Sequence, residues 1–336
     1  MISLFFLPST SSAAPKPTAM RRAALPLALC VVSAFGIYSE NLSVLNAFTT
    51  VFMYVVLTQA WNILGGYGGY LNFGMVTFFG IGAYTTALLF HFYHLSPFLT
   101  APVAGLVAAF VGFAIGMPTL RLRGAYFAIM TMIITFAVQI LVLDVPFTQG
   151  ALGVFLDPLP MSPLALEKLF FFIFLSLAIL VTILVYVIEH SNFGWALVAI
   201  REDEDAAEIV GVRTIEMKWL ANALASGIAG VVGGLYAQRI MYLEPIGTFS
   251  FDISLNVVLM AVIGGPGTWQ GPIIGAPIVL LVADLLRVAV TSEVNRAIFS
   301  LVVIFVALFV PGGVMGLVRR IQKGRAVKAA TDPVKV

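Results

Sequence analysis

The densest group of charged side chains in this sequence lies in one polar segment, residues 191–218, between two long apolar runs. Six charged residues fall within eight positions of this segment: Arg201, Glu202, Asp203, Glu204, Asp205 and Glu208. Charged side chains of this kind can form ion pairs with a partner protein. The pattern is typical of a cytoplasmic docking loop and indicates that a separate protein chain supplies the energy for this protein. A solvated loop without a partner is the alternative interpretation.

The signatures of catalysis are thin. The histidines His91, His94 and His190 have no partner at the spacing of a zinc site. No GxxxxGK(S/T) phosphate loop occurs, so we do not expect the chain itself to hydrolyse ATP. A nucleophile elbow is also missing. We therefore expect a protein that is not an enzyme and that uses no cofactor, no metal and no nucleic acid.

Two glycine clusters interrupt the apolar runs: GGYGGYLNFG from Gly65 and GGPGTWQGP from Gly264. An interior glycine costs a helix about 1 kcal/mol, so the first cluster predicts a helix break that must face protein or a water-filled path. Transporters place substrate sites at such breaks. The candidate path residues are Asn62, Gly65, Gly66, Tyr67, Tyr70, Asn72 and Met75. An ordinary turn between helices explains either cluster equally well, and the second reads as a tight turn.

The elements that position these residues are membrane helices. Hydrophobic residues make up 60% of the 336 residues, charged residues only 10%, and the mean hydropathy is +1.03. With about 20 residues per span, the chain holds about ten spans and no sizeable extramembrane domain. We predict an all-α polytopic membrane protein with spans near 23–39, 42–64, 73–93, 98–118, 124–145, 168–189, 217–238, 251–265, 271–290 and 297–317. The eighth is short and the least well defined.

The basic residues predict the orientation, because Lys and Arg accumulate in cytoplasmic loops. With both termini in the cytoplasm, only Lys168, Arg239, Arg287 and Arg296 of the 18 basic residues lie outside. The predicted divisions are a disordered tail over 1–22, a permease domain over 23–318 with a cytoplasmic loop at 191–216, and a basic cytoplasmic tail over 319–336.

Small residues recur at four-residue spacing within the spans: Ser226, Gly230 and Gly234; Gly112 and Gly116; and Gly267, Gly271 and Gly275. Such ridges let helix backbones approach closely in a membrane. We favour packing within one subunit over a role in dimer formation.

Within the polar segment, the sequence predicts one helix over about 194–210. Ser191 or Asn192 can cap its start, and Gly211 can end it. Its outer face would be acidic. Small apolar patches suited to the groove of a partner would come from Trp195, Val198, Ala199, Ala206 and Ala207.

Several stretches together resemble one family. They are NILGGYGGYLNFG from Asn62, FFGIGAYTTALL from Phe78, FGWALVAIREDEDAAEIVGV from Phe193, NALASGIAGVVGGLYA from Asn222, VIGGPGTWQGPIIGA from Val262 and FVPGGVMGL from Phe309. The sequence resembles, from about residue 40 to 318, the branched-chain amino-acid ABC importer permeases, specifically the LivM-type subunit. In that family the stretch from Ala206 and Ala207 to Gly211 corresponds to the loop that contacts the ATPase subunits.

The resemblance implies the many-helix fold of the larger-class ABC importers in a bacterial inner membrane. The implied partners are a LivH-like permease, two cytoplasmic ATPases and an extracytoplasmic binding protein that hands over a small amino acid. ATP binding would close the ATPase dimer, and the substrate cavity, open to the outside before, would then become accessible from the cytoplasm. The implied coupling residues are Gly194, Trp195, Arg201, Glu202, Asp205, Ala206, Ala207, Glu208 and Gly211. Replacing Gly211 by Pro, or Ala207 by Trp, should abolish transport without preventing membrane insertion.

Other functions remain open at this stage. Closely similar permeases move urea or short amides. Many relatives have Gln, Ser and His where this chain has Tyr70, Asn72 and Met75. The residues of this chain would favour larger apolar or aromatic carboxylates. A secondary transporter or channel would need no ATPase, but no row of charges crosses the spans. A membrane enzyme would need an intramembrane catalytic group, and the sequence offers none.

Overall fold

The computed structural model describes residues 35–289 and 313–316, and the structure there is almost entirely helical. The main helices are α1 Leu42–Asn62, α2 Met75–Tyr93, α3 Pro97–Thr119, α4 Ala125–Asp144, α5 Pro163–Glu189, α6 Asn192–Glu202, α7 Glu204–Ile209, α8 Thr214–Ile240, α9 Pro245–Thr248, α10 Phe251–Gly264 and α11 Gly271–Ala289. A π-helical turn, Ile63–Tyr67, continues α1, and two 3₁₀ turns, Pro146–Thr148 and Gly150–Leu152, follow α4. Two short strands, β1 Val154–Phe155 and β2 Tyr242–Leu243, complete the described elements.

Seven helical stretches are long and apolar enough to cross a membrane: Leu42–Tyr67, Met75–Tyr93, Pro97–Thr119, Ala125–Asp144, Pro163–Glu189, Thr214–Ile240 and Pro245–Gly264. They confirm the all-α membrane fold and the second to eighth predicted spans. The eighth gains length because α9 precedes α10. The ninth predicted span is α11. The predicted spans at 23–39 and 297–317, and the tails at 1–22 and 319–336, lie wholly or mostly outside the described residues.

Helix starts follow local capping chemistry. The side chain of Asn41 accepts hydrogen bonds from the backbone N–H groups of Ser43 and Val44 at the start of α1. The Ser162 hydroxyl accepts one from Ala165, and Pro163 occupies the first position of α5, where a missing N–H costs nothing. These caps satisfy backbone donors at the helix ends.

Helix α8 is packed between α2 and α3 through small residues. A methyl group on Gly82 would overlap the backbone of Gly230, and one on Gly112 would overlap the side chain of Ser226. A methyl group on Gly233 would likewise meet the carbonyl oxygen of Phe79. This backbone contact is made possible by the absent side chains. The small-residue ridges therefore pack helices within this subunit.

The far end of α8 is held by an ion pair. The Arg239 guanidinium donates to the Glu167 carboxylate at the start of α5, over 3.0 Å, and to the Asn46 carbonyl oxygen on α1, also over 3.0 Å. Next to it, β1 and β2 pair antiparallel, with Val154 opposite Leu243. A 27-residue helix such as α8 is about 40 Å long, so this end lies opposite the polar segment.

Candidate functional site

The polar segment folds into two short helices, α6 and α7, which are separated at Asp203. The Ser191 hydroxyl caps α6 by accepting from the Gly194 N–H over 3.2 Å. Asp203 is extended, and its carboxylate accepts from the N–H groups of Asp205 and Ala206, each over 3.0 Å. The prediction of one helix over 194–210 was therefore wrong, because the Asp203 side chain caps a second helix and turns the chain between the two.

Gly211 ends α7 as predicted. Its φ of +92° is a conformation that glycine adopts without penalty, and an added Cβ would have no neighbour within 4 Å. The Val212 N–H donates to the Ala207 carbonyl over 3.0 Å, and the Gly211 N–H to that of Glu208 over 2.9 Å. These two bonds form a Schellman motif. The backbone turn, rather than lack of space, requires glycine here.

The apolar side chains exposed on this segment differ from those expected. Ala207 is 3% exposed and packs in the core of the chain itself, so its placement in the docking patch was wrong. Ile209 and Val210, by contrast, are 86% and 78% exposed. Trp195 is 55% exposed on α6. Sequence reasoning missed Ile209 and Val210, although two large apolar residues just before a helix-ending glycine were a usable signal.

Val198, Ala199 and Gly194 face inward. Val198 and Ala199 pack against the core, and a methyl group on Gly194 would overlap the carbonyl oxygen of Ile188. Ala206 is exposed. Helix α6 therefore presents little of its predicted apolar patch outward, because its small residues let it lie against the bundle.

Glu204 anchors α7 to the bundle. Its carboxylate accepts from the Lys218 ammonium on α8 over 2.5 Å and from the Tyr70 hydroxyl over 2.6 Å. Lys218 is 2% exposed and also donates to the carbonyl oxygen of Leu120, over 3.0 Å. The pair is almost fully buried, so its two charges depend on each other. Sequence reasoning identified neither residue as a coupling residue.

Arg123 adds an exposed part to this cluster. Its guanidinium donates to both carboxylate oxygens of Asp205, over 2.8 and 3.2 Å, and its Nε lies 3.4 Å from Glu204. Arg123 lies two residues before the start of α4. Between them, Gly124 adopts a φ of +60° and has open space around it. The cluster thus connects α7 with α8 and with the start of α4.

The electrostatics keep the Glu204 cluster ionised. Burial alone would raise the pKa of Glu204, but hydrogen bonds from Lys218 and Tyr70 and the charges of Lys218 and Arg123 lower it below its ordinary value. Burial and the hydrogen bond to Glu204 raise the pKa of the Tyr70 phenol well above its ordinary range. A hydrogen bond from Arg123 lowers the pKa of Asp205. At neutral pH, Glu204 accepts and the Tyr70 hydroxyl donates.

Arg201 points inward, not toward the docking surface. Its side chain is 5% exposed and donates to the carbonyl oxygen of Gly66 over 3.1 Å and to Glu202 over 2.9 Å. A Cβ on Gly69 would lie 2.6 Å from its Cγ, and one on Gly267 would lie 2.7 Å from its guanidinium. Arg201 therefore ties α6 to both glycine clusters.

The two glycine clusters contact each other, although they are far apart in sequence. Asn62 donates to the carbonyl oxygen of Thr268 over 3.0 Å and accepts from the N–H of Gly267 over 2.9 Å. Glu189 accepts from the Tyr67 hydroxyl over 2.7 Å and from the N–H of Trp269 over 3.2 Å. The first cluster starts in the π-helical turn that continues α1, and its residues in that turn are buried in protein. The second is the turn that was predicted.

The candidate path residues are buried in this chain, and one of them, Asn72, lines a cavity. Gly65, Gly66, Met75 and the others pack in the core, while the hydroxyl of Tyr70 is part of the Glu204 cluster. The cavity measures about 10 Å³, about the space of one water molecule. Its other polar lining residues are Thr77, Thr119, Thr131 and Asn222.

Asn72 and Asn222 are hydrogen-bonded to each other at one side of this cavity. The Asn72 amide donates to the Asn222 side-chain oxygen over 3.3 Å, and the Asn222 amide donates to the carbonyl oxygen of Gly112 over 2.7 Å. The Asn72 side-chain oxygen accepts from the Gly74 N–H over 2.7 Å. Sequence reasoning missed Asn222 and the threonines, because single polar residues in long apolar runs give no spacing pattern.

The comparisons with known proteins agree with this architecture. Residues 43–308 match a family described as "Branched-chain amino acid transport system / permease component". The high-affinity branched-chain amino acid permease protein LivM of Salmonella typhimurium is 29% identical over 331 residues, covering 89% of this chain and 77% of that protein. LivM of Escherichia coli is 30% identical over 320 residues, covering 87% and 75%.

A nucleoside ABC transporter permease protein, NupC of Lactococcus lactis, is 29% identical over 206 residues, which cover 55% of this chain and 64% of that protein. No solved structure matches the chain. The family match spans most of the sequence and includes all seven membrane-length helices except the first residue of α1. This multi-pass membrane protein belongs to the family of permease components of branched-chain amino acid transport systems.

Proposed function

We propose that this chain is one of two membrane subunits of an ATP-driven importer for leucine, isoleucine and valine. It forms half of the translocation path with a LivH-like permease, and an extracytoplasmic binding protein delivers the substrate. Two cytoplasmic ATPases supply the energy, so ATP hydrolysis takes place on those chains. The observation that carries the proposal is the exposed apolar tip of α7, Ile209 and Val210, on a segment anchored to the bundle by buried charges.

The anchoring supports a coupling role because a lever transmits force only if it is held firmly. Glu204 and Lys218 fix α7 to α8, and Arg201 fixes α6 to the glycine clusters. An exposed pair of large apolar residues next to carboxylates suits a partner with an apolar groove and a basic rim. Such a groove would remove the side chains of Ile209 and Val210 from water, and this burial would stabilise the contact.

The predicted coupling residues now separate by role. Trp195, Ala206 and Glu208, with Ile209 and Val210, form the surface that contacts the ATPase. Arg201, Ala207, Gly194 and Gly211 hold that surface in shape from inside. Beside it, Asp205 pairs with Arg123 and Glu202 pairs with Arg201.

This assignment places α6 and α7 in the cytoplasm of a bacterial cell, with the protein in the inner membrane. Both chain termini then lie on the cytoplasmic side, in agreement with the distribution of Lys and Arg.

The first test replaces Ile209 and Val210 by Glu together. ATPase co-purification and leucine uptake should both be lost while the melting temperature of the solubilised subunit is unchanged, because the side chains are exposed. The matched control, Ile209→Leu with Val210→Ile, keeps both surfaces apolar and should behave as wild type. ATPase that still co-purifies in full with the double Glu variant would refute the docking assignment.

The second test measures the substrate directly. Cells that lack only this chain should lose uptake of labelled leucine and regain it when the chain is supplied. Labelled urea and a labelled nucleoside are measured in parallel. Loss of urea or nucleoside uptake alone would replace the branched-chain assignment, and uptake that resists ATP depletion would replace the ABC mechanism.

A different neutral substrate is the second candidate. The cavity is lined by amides, hydroxyls and apolar side chains, with no charged group among its described lining residues. One relative, moreover, is described as a nucleoside permease.

A further inference from the structure

The segment between α4 and α5, residues 145–162, has a defined structure of its own, although it connects two membrane-length helices. The Thr148 hydroxyl donates to the carbonyl oxygen of Val142 over 2.6 Å, and the Leu156 N–H donates to that of Met241 over 2.9 Å. Strand β1 of this segment pairs with β2. The segment therefore presents a surface of fixed shape at the end of the bundle opposite α6 and α7.

Large apolar side chains are exposed on this surface. Leu152 and Phe155 are 81% and 70% exposed. The neighbours of Phe155 in the chain, Val154 and Leu156, are both buried. Successive side chains of a strand lie on opposite faces, so the two buried neighbours hold Phe155 outward. Its exposure follows from the fold of the segment.

The exposed side chains form one patch with the segment that follows α8. The rings of Phe155 and Tyr242 lie 4.6 Å apart, centre to centre, and the Tyr242 hydroxyl donates to the carbonyl oxygen of Leu152 over 3.4 Å. Ile246, four residues beyond Tyr242 in α9, is exposed as well. We call the surface made by Leu152, Phe155, Tyr242 and Ile246 the outer patch.

The same two segments carry negative charge. Residues 144–162 and 241–250 contain Asp144, Asp157 and Glu244 but neither Lys nor Arg. All three carboxylates are exposed. The surface around the outer patch is therefore both apolar and acidic.

This combination does not suit the surface of a bilayer. Segments that anchor a protein at the membrane interface carry Trp, Tyr, Lys and Arg. Anionic phospholipid headgroups attract basic side chains and repel carboxylates. A soluble protein with basic side chains around an apolar contact suits both features, because opposite charges guide its approach and burial of the apolar centre stabilises the complex.

We propose that the outer patch is the docking surface for the extracytoplasmic binding protein, whose docking face is apolar at its centre and basic at its edge. The inference rests on the transport function proposed above and names the part of this chain that receives that partner. Because the hydrogen bonds of residues 145–162 fix the patch before contact, docking loses little conformational entropy here.

A pair of substitutions tests the apolar centre. The complete transporter is placed in lipid nanodiscs, and the probe is the purified binding protein that supports leucine uptake with this transporter in proteoliposomes. Leu152→Glu with Phe155→Glu should weaken binding of the probe by about tenfold or more. The melting temperature and the co-purification of the ATPases should stay unchanged, because both side chains are exposed.

The matched control is Leu152→Met with Phe155→Tyr, which keeps the patch apolar and keeps a ring beside Tyr242. This control should bind the probe as wild type does. Undiminished binding by the double Glu variant would overturn the proposal.

The carboxylates are tested through salt. Asp144→Asn, Asp157→Asn and Glu244→Gln are combined in one variant. It should bind the probe more weakly than wild type at low salt, and its affinity should depend less on salt concentration, because salt screens the attraction between exposed charges. An unchanged salt dependence would overturn the basic edge assigned to the partner.

Thiol labelling distinguishes the binding protein from other neighbours of the outer patch. In a Cys30→Ser background, Leu152→Cys of the complete transporter should react with a water-soluble thiosulfonate. The binding protein, but not serum albumin, should protect this thiol.

Two results of the labelling would overturn the proposal. A Leu152→Cys thiol that is unreactive before the binding protein is added would show that lipid or the second permease covers the patch. Full reactivity while the binding protein is bound would show that docking takes place elsewhere. Leucine uptake by the Cys30→Ser transporter tests the transport function separately.

Discussion

Helices α8 and α4 both cross the bundle, but they are held in opposite ways. In α8, 61% of the most apolar stretch is buried, compared with 22% in α4. Glycine and alanine bring α8 into backbone contact with α2 and α3, and Lys218 and Arg239 fix its two ends. Helix α4 contacts the bundle through two threonine hydroxyls and a narrow row of buried residues. In a membrane, close packing supplies most of the association energy, so the comparison separates a helix that this chain packs tightly from one that it packs loosely.

The comparison also explains where the coupling segment is attached. Glu204 binds the tightly packed α8 through Lys218, whereas its neighbour Asp205 binds Arg123, two residues before the loosely packed α4. The first pair is buried and the second is exposed. Helix α7 thus has a buried attachment to α8 and an exposed one to the residues just before α4.

The largest effect should come from filling the α8 interface. Gly230→Leu would drive a side chain into Ala108 and the backbone of Ala104 and Gly105 on α3, and should destabilise the protein by more than about 4 kcal/mol, beyond ordinary overpacking. The melting temperature and yield of the solubilised protein measure this. On α4, Ala137→Leu introduces the same side chain at an exposed position and should change stability by less than about 0.5 kcal/mol. Equal behaviour of the two variants would remove the distinction between the helices.

The next effect concerns the buried attachment to α8. Lys218→Met leaves Glu204 with less compensation for its buried charge, and we expect a loss of about 3–5 kcal/mol. Adding Glu204→Gln to this variant should recover part of the loss because the uncompensated charge is gone. Chemical denaturation in detergent compares the three proteins. If Glu204→Gln lowers the stability of Lys218→Met further, the pair does not act as an ion pair.

The same pair predicts a pH dependence. Because the pKa of Glu204 is lowered in the folded protein, its contribution to stability is complete above the ordinary glutamate pKa of about 4.3. The contribution is lost only as the pH falls through the lower folded-state value. The melting temperature should therefore lose nothing from this group between neutral pH and about pH 5. Below that range, wild type should fall more steeply than Glu204→Gln, and parallel curves would contradict the assignment.

Much of the fold was predictable because a bilayer sets the length of apolar runs and needs nothing from distant residues. The end of α7 at Gly211 was predictable for a similar reason, since a left-handed turn is a local property. The break at Asp203 was not, because an acid within an acidic run looks like surface until its side chain turns back to cap a helix. The docking residues were predictable as a segment but not as a face.

Contacts between distant segments escaped prediction. The hydroxyls of Thr77 and Thr135 meet across 58 positions, and Lys218 reaches Tyr70 across 148. A single threonine or lysine in an apolar run has many candidate partners, and only the packing of α2, α4 and α8 selects one. The path predicted at the glycine break stays a prediction, and one of its residues, Asn72, lies at the cavity.

A smaller effect is expected at Gly124, between Arg123 and the start of α4. Gly124→Ala places a side chain where φ is +60° and ψ is −131°, which costs about 1–3 kcal/mol of backbone strain. Uptake per folded transporter should fall severalfold, because the strain disturbs the connection between Arg123, which pairs with Asp205 of α7, and the start of α4. Gly150→Ala imposes a positive-φ strain, at +51°, beyond the other end of α4. It should lower stability without reducing uptake per folded transporter. If both variants lose the same share of uptake per folded transporter, Gly124 has no special role in coupling.

The smallest effect on stability, and the sharpest test of coupling, concerns Arg123. The pair with Asp205 is exposed on both sides and adds little to folding. Arg123→Gln should leave the melting temperature unchanged but reduce uptake severalfold, since α7 loses its contact with the start of α4. Arg213→Gln, which breaks another exposed pair, with Glu216 in the first turn of α8, should leave uptake intact. Exchanging the charges, as Arg123→Asp with Asp205→Arg, should restore part of the lost uptake. Rescue distinguishes a transmitted force from a role in folding, because a merely structural residue at an exposed site would show neither the loss nor the recovery.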